Sequence, residues 1–88
     1  MILCSAIKFN IDKTDEEVIL CGLRHGDIFR QLKALGFEPR KGYQEIEQGF
    51  LTNSGRFLSR KEAYVVALRY DQLKHPEDNE ELFSEDLW

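Results

Sequence analysis

The chain has 88 residues, a formal net charge of −4 and 42% hydrophobic residues. This length fits one domain with a modest core, and the composition excludes disorder over most of the chain. Residues 76–88 contain six acids and no base, so the preceding body is mildly basic. A mildly basic body suits a small anion, whereas DNA binding needs a concentrated basic face. We predict one domain at residues 1–75, an acidic tail at 76–88 and no DNA partner.

Two cysteines, Cys4 and Cys21, lie in apolar strand-like segments and show no zinc-binding spacing. They are typical of reduced core thiols in a cytoplasmic protein. The first ten residues lack the basic region and the long apolar segment of a signal peptide. No segment is apolar over a length that would span a bilayer. We therefore expect a cytoplasmic protein without a metal, a cofactor or a membrane partner.

The first half of the chain predicts two strands and a helix. Apolar residues of the first strand, 2–9, fall on both parities, which is typical of a sheet interior or an oligomer interface. An antiparallel hairpin is the simplest pairing with a second strand at 17–24. A glycine then breaks the strand, and Asp27 is a good N-cap residue for a helix at 28–35.

The stretch Gln48–Leu68 predicts a strand, a tight turn at 53–55, a short strand and a helix. Asparagine and glycine in the turn tolerate positive φ. Ser59 begins the helix in a capping box with Glu62, and the helix is expected to run to about Leu73. The order β-β-α-β-β-α predicts an α+β fold, in which a small, mostly antiparallel sheet carries two helices packed on one face.

No set of side chains in the sequence meets the requirements of a catalytic site. His25 and Asp27 are near neighbours, but the aspartate is better used as a helix cap and no nucleophile elbow is present. Glu45 and Glu47 alternate with Ile46, which places both carboxylates on an outward strand face. We therefore predict that the protein is not an enzyme.

Two strand-to-helix junctions, Arg24–Phe29 and Arg56–Arg60, share a construction that favours anion binding. Each places a basic residue beside the free N–H groups of a helix start. Arginine holds phosphate in bidentate fashion, and an aromatic ring stacks on a base. If the junctions converge or meet across a dimer, they fit a compact dinucleotide. Two alternatives stay open: Phe29 belongs to the core, and the arginines are surface residues paired with carboxylates.

Three segments of the chain, GLRHGDIF, QGFLTNSGRFLSRKEA and the ending LFSEDLW, resemble the first-described family of Thoeris anti-defence proteins, which occur in phages and prophages. The resemblance covers most of residues 19–68 and the last few positions. It implies a small α+β unit that forms homodimers or higher homo-oligomers in the cytoplasm of the infected bacterium. It also implies sequestration, without cleavage, of a cyclic ADP-ribose isomer made by TIR-domain defence enzymes. Some members also hold cyclic oligonucleotides at a second site.

The resemblance further implies which residues bind the ligand. Phe29 matches the position that stacks on adenine, and Arg56 and Arg60 match positions for phosphate and ribose. Arg24 and His25 match the family signature and either contact the ligand or order the junction. The chain is shorter than the members in question, and absent loops leave the isomer open. The candidate ligand-binding residues are Arg24, His25, Phe29, Asn53, Arg56 and Arg60.

The acidic tail supports an alternative function. Its spaced apolar residues favour docking on another surface, although a frayed terminus is the simpler interpretation. In the docking hypothesis the protein is a small phage-encoded inhibitor that acts by protein–protein contact. The apolar anchors are Leu82, Phe83, Leu87 and Trp88.

Overall fold

The fold is an antiparallel four-stranded sheet with two helices packed on one face, which confirms the predicted α+β class. The computed structural model describes residues 1–73, 81–83 and 86–87. The elements are β1 (Ile2–Ile11), β2 (Glu16–Gly22), α1 (His25–Ala34), β3 (Tyr43–Thr52), β4 (Phe57–Ser59) and α2 (Arg60–Arg69).

The strand order is β2-β1-β3-β4, so β1 lies inside the sheet and pairs along both of its edges. The predicted β1–β2 hairpin is confirmed, with Ile7 opposite Leu20 and Ala6 opposite Cys21. The register of the β1–β3 ladder shifts near Leu3 and again beyond Lys8. Such irregularities increase the local twist and bend of a sheet.

In the part of the chain that the structure describes, the core consists of two clusters, both on the face of the sheet that carries the helices. The cluster under α1 joins that helix to the middle of β1, and the cluster under α2 joins two small alanines to β3 and β4. Burial of each large side chain contributes about 1.5–3 kcal/mol. The buried residues are Ile7, Phe9, Ile28 and Leu32 under α1, and Ile2, Phe50, Leu58, Ala63, Ala67 and Leu82 under α2.

Helix α1 begins at His25, three residues before the predicted start, so the assignment of Asp27 as N-cap was wrong. Arg24 is the N-cap residue, and the Asp27 carboxylate reaches back to accept its backbone N–H at 3.1 Å. This is the backward arm of a capping box, which a carboxylate at the third helical position can supply. The helix also ends before Leu35, which is 69% exposed.

Helix α2 begins as predicted, with Ser59 as its N-cap residue. The Glu62 N–H donates to the Ser59 hydroxyl at 3.2 Å, and the Glu62 carboxylate accepts the Ser59 N–H at 3.1 Å. The helix ends at residue 69, four residues before the predicted end. Asp71 has a φ of 54°, and the Gln72 amide exchanges hydrogen bonds of 2.7 and 2.9 Å with the backbone of Ile2. These tertiary hydrogen bonds replace the last helical turn.

Part of the acidic tail lies against the body of the same chain. Leu82 is completely buried under α2, and its N–H donates to the Arg60 carbonyl at 3.0 Å. Leu87 packs against the same cluster, and the Asp86 carboxylate accepts the Phe83 N–H at 2.9 Å. The helix stop predicted at 75–76 and the predicted anchor Trp88 lie outside the described residues.

The two thiols lie on the sheet face that carries no helix. Cys4 and Cys21 are free and half-buried, so they are less enclosed than the predicted core thiols. Burial raises the pKa of Cys4 to about 11, and the neighbouring Cys21 adds to the increase. In the described ranges, no helix is long and apolar enough to cross a membrane.

Candidate functional site

The first turns of α1 and α2 meet at a cavity of about 320 Å³, which we call the junction pocket. The structure therefore brings Arg24 and His25 of the first junction together with Arg60 of the second. The tail contributes the ring of Phe83, which had not been proposed as a site residue. The residues lining the pocket are Arg24, His25, Gly26, Asp27, Arg30, Arg60 and Phe83.

His25 joins the start of α1 to the sheet. Its Nε2 lies 2.9 Å from the Gly49 carbonyl oxygen, and its ring meets the Phe50 ring edge to face at 5.2 Å between centroids. A carbonyl can only accept, so Nε2 carries the proton and donates it. The imidazole is therefore held in one orientation at the wall of the pocket.

Arg60 is held from two sides before any ligand arrives. Its guanidinium donates to the Gln48 side-chain oxygen and, at 3.3 Å, to the Leu82 carbonyl. It also lies 4.7 Å from the centre of the Phe83 ring, a cation–π contact. These partners are neutral, so the positive charge of Arg60 is not compensated by them. A guanidinium held in place by neutral partners, with no ion pair to a carboxylate among the described residues, is suited to an anionic ligand.

The remaining polar groups of the pocket are organised by Asp27. Its carboxylate accepts the Arg24 N–H and pairs with Arg30 at 3.0 Å. Among the described residues that line the pocket, the three arginines Arg24, Arg30 and Arg60 accompany a single carboxylate, that of Asp27. Gly26 leaves open space at the helix start, since an added Cβ would meet no atom within 4 Å. The positive end of the α1 dipole adds to the attraction for an anion.

The other three candidate residues lie outside the junction pocket. Phe29 faces a neighbouring groove and is 37% exposed. Arg56 lies 3.9 Å from the Glu62 carboxylate, an exposed ion pair. The Asn53 side-chain oxygen accepts a hydrogen bond from the terminal ammonium of Met1 at 3.1 Å. Arg56 and Asn53 are thus engaged at the β3–β4 turn.

A second cavity, which we call the aromatic groove, has a volume of about 860 Å³ and lies between α1, residues 35–42 and β3. Sequence reasoning missed it, although Phe29 and Lys33 are four residues apart and so share one side of α1. Arg30 lines both cavities. The groove is lined by Phe29, Arg30, Leu32, Lys33, Phe37, Pro39, Arg40, Tyr43, Gln44, Glu45 and Gln48.

Two further features describe the chemistry around the site. Hydrogen bonds from Ser59 lower the pKa of Glu62, with a smaller effect from the guanidinium of Arg56. Among the residues that the structure describes, no group of three or more His, Cys, Asp and Glu side chains could hold a metal ion. The arrangement offers fixed cations and aromatic surfaces, which is the chemistry of anion binding.

Comparison with curated proteins and with solved structures finds no match to this chain. A family model described as "Phage T4 y16D protein" matches residues 1–88, which is the entire sequence. The chain therefore belongs to the phage T4 y16D protein family, a family of phage proteins.

Proposed function

We propose that this phage protein binds a cyclic ADP-ribose-type nucleotide without cleaving it, and thereby blocks TIR-dependent Thoeris defence in the cytoplasm of the infected bacterium. The observation that carries the proposal is the junction pocket, where Arg24, His25 and Arg60 meet. Membership of a phage family is consistent with a role directed against the host. The ligand class itself comes from the sequence resemblance.

The pocket has the groups that a pyrophosphate-containing ligand requires. The guanidinium groups of Arg24 and Arg60 are suited to bidentate contacts with phosphate oxygens. Phe83 supplies an aromatic surface beside them. The junction pocket has a volume of about 320 Å³, which is at the lower end of the range of ligand pockets, roughly 300–1,000 Å³. Phe29 lies outside this pocket, so the adenine-stacking role that the resemblance implies for Phe29 is not part of the proposed site.

The described residues that line the pocket favour binding over nucleophilic catalysis, because they include no serine, threonine, cysteine or lysine. The Asp27 carboxylate is engaged by the Arg24 N–H and by Arg30. Sequestration works by mass action, so the protein needs high affinity and abundance but no catalytic step.

The proposal retains the homo-oligomer and the second site for cyclic oligonucleotides that the resemblance implies. A domain of this size has a modest core, and association would enlarge the buried surface. Analytical ultracentrifugation with and without cyclic ADP-ribose measures the assembly. A monomer under both conditions would contradict this part of the proposal.

The alternative, an inhibitor that docks through its tail, is disfavoured by one feature of the fold. Leu82 is completely buried in the core of its own chain, and Leu87 packs against the same cluster. Phe83 also contacts Arg60, so three of the four predicted anchors are engaged within the protein. Deletion of residues 76–88 that abolishes inhibition but leaves the fold and the nucleotide affinity intact would support the alternative. The burial of Leu82 predicts instead that the deletion destabilises the fold.

Calorimetry with cyclic and glycocyclic ADP-ribose isomers tests the proposal directly. We expect saturable heats with at least one isomer, followed by recovery of the intact nucleotide after heat denaturation. Heats equal to dilution for every isomer would refute sequestration. Recovery of a cleaved product would replace it with an enzymatic function.

Substitutions at the two arginines of the second junction test the site. Arg60→Ala should weaken binding by about 1.5–3 kcal/mol, the size of a charge-assisted hydrogen bond. The sequence predicts the same loss for Arg56→Ala, but Arg56 pairs with Glu62 outside the pocket. Lys61→Ala is the matched control, because Lys61 is exposed on the same turn and lines neither cavity. Unchanged affinity in both arginine variants, with intact circular dichroism, would place the site elsewhere.

A further inference from the structure

We propose that the aromatic groove is a second binding site, which takes a small anion carrying a flat aromatic ring. The inference does not rest on the proposed function, since the groove's own side chains select this chemistry. The groove is larger than the junction pocket, and at about 860 Å³ it has the size of a site for a small molecule.

Aromatic rings form fixed walls of the groove. The rings of Phe37 and Tyr43 meet edge to face, with centroids 5.8 Å apart. The buried ring of Phe9 lies edge to face against both Tyr43 and Phe29, at 5.4 and 6.0 Å. Edge-to-face pairs are favourable arrangements that restrict ring orientation. Because the walls are ordered in advance, a flat ligand loses less free energy to side-chain ordering when it binds.

The loop that closes the groove is held against these rings. The Arg40 N–H donates to the Tyr43 hydroxyl at 3.2 Å. An added Cβ at Gly42 would lie 3.2 Å from the Phe37 ring, so the backbone approaches that ring closely. The hydroxyl and the backbone thus fix the position of Arg40 relative to the aromatic wall.

The charges in the groove are unequal in sign. Among the described residues that line the groove, three cations, Arg30, Lys33 and Arg40, face one carboxylate, Glu45. Arg30 pairs with an aspartate, and the Glu45 carboxylate accepts a hydrogen bond from Gln48 at 2.8 Å. Within residues 1–73, 81–83 and 86–87, neither Lys33 nor Arg40 has a carboxylate within 4.0 Å. Two uncommitted cations beside aromatic walls complement a ligand that combines a negative charge with a flat ring.

Aromatic phosphates and aromatic carboxylates share this chemistry, and a titration followed by NMR amide shifts distinguishes them. The probes are adenosine monophosphate (AMP) and 4-hydroxybenzoate. Adenosine is the control that lacks the negative charge, and ribose 5-phosphate is the control that lacks the aromatic ring. We expect saturable shifts at Lys33 and Tyr43 with one of the two probes, and about tenfold weaker binding of each control. The probe that binds identifies the class. The inference is overturned if neither probe saturates, or if ribose 5-phosphate binds as well as AMP.

Two variants test the cations. Lys33→Glu should weaken binding of the successful probe by about tenfold. Arg40→Gly should also weaken it, and this variant is compatible with folding because Arg40 has a φ of 60°, where glycine is unstrained. Lys61→Glu on α2 is the matched control and should leave the affinity unchanged. Equal affinity in both groove variants, with native spectra, would overturn the inference.

The same titration separates this inference from the proposed function. Arg60→Ala should weaken cyclic ADP-ribose binding and leave the groove probes unaffected, because Arg60 does not line the groove. Failure of the groove probes in a protein that still binds cyclic ADP-ribose would refute the second site alone. Saturable groove binding in a protein that ignores every cyclic ADP-ribose isomer would support the second site and refute the proposed function.

Discussion

Replacing Leu82 with alanine tests whether the tail belongs to the folded core. Leu82 is completely buried against Phe50, Leu58 and the alanines of α2. Truncating a buried leucine removes the free energy of burying its methyl groups and leaves a cavity, at a total cost of about 2–5 kcal/mol. A domain of this length has a free energy of unfolding of about 5–13 kcal/mol. Leu82→Ala should therefore remove a large fraction of the stability.

Urea denaturation followed by circular dichroism measures this loss as a lower midpoint with an unchanged slope. Leu35→Ala is the matched control, because Leu35 is 69% exposed and its truncation should change the unfolding free energy by less than about 0.5 kcal/mol. Leu82→Ala should also weaken nucleotide binding, since the Leu82 backbone and Phe83 hold the Arg60 side chain. A Leu82→Ala variant as stable as Leu35→Ala would show that the tail is not part of the core.

Three further predictions follow from particular contacts. Gly49→Ala should destabilise the fold by about 3 kcal/mol, because the added Cβ would lie 2.1 Å from the Leu58 carbonyl oxygen. Gly26→Ala is the control and should be tolerated, because its added Cβ would meet no atom within 4 Å. Equal thermal midpoints for the two variants would contradict this prediction. The lowered pKa of Glu62 contributes stability that is fully present above the ordinary pKa of 4.5 and is lost as the pH falls through the lowered pKa. The difference in unfolding free energy between wild type and Glu62→Gln should therefore disappear in acid. A difference that does not depend on pH would argue against the capping box. Burial raises the pKa of Cys4 to about 11, so less reactive thiolate is present in the native protein. At about pH 8, Cys4 should therefore react with iodoacetamide more slowly in the native protein than in urea, as measured by peptide mass spectrometry. Equal rates would contradict the effect of burial.

The sequence predicts most of the elements because their signals are local. The Ser59–Glu62 capping box lies within one turn, and both hydrogen bonds form as expected. Gly55 has a φ of 83°, which fits the predicted turn. The errors occur at element ends. At the start of α1 the competing signal is local, because Asp27 caps Arg24 from inside the helix. At the end of α2 the competing residue is distant in sequence, because the Gln72 side chain bonds to the backbone of Ile2 in β1.

The candidate site was predictable in part for the same reason. The two junctions are readable as local patterns, and the packing of α1 and α2 on one face brings Arg24 and Arg60 to one pocket. The aromatic groove has no local pattern, since its lining comes from a helix, a loop and a strand. Its cations are spread over residues 30–40, where the sequence reads as an ordinary charged surface. Only the approach of β3 places Tyr43 beside them.

By itself, the sequence determined the α+β class, the helix start at Ser59 and the two basic junctions, because periodicity, capping and turn chemistry act over a few residues. Tertiary structure decided which of these features meet. The strand order β2-β1-β3-β4 places α1 and α2 on one face, so that Arg24, His25 and Arg60 share a pocket while Arg56 lies outside it. The physical reason is that proximity between distant segments depends on how buried apolar surfaces pack, and that packing is a property of the whole chain.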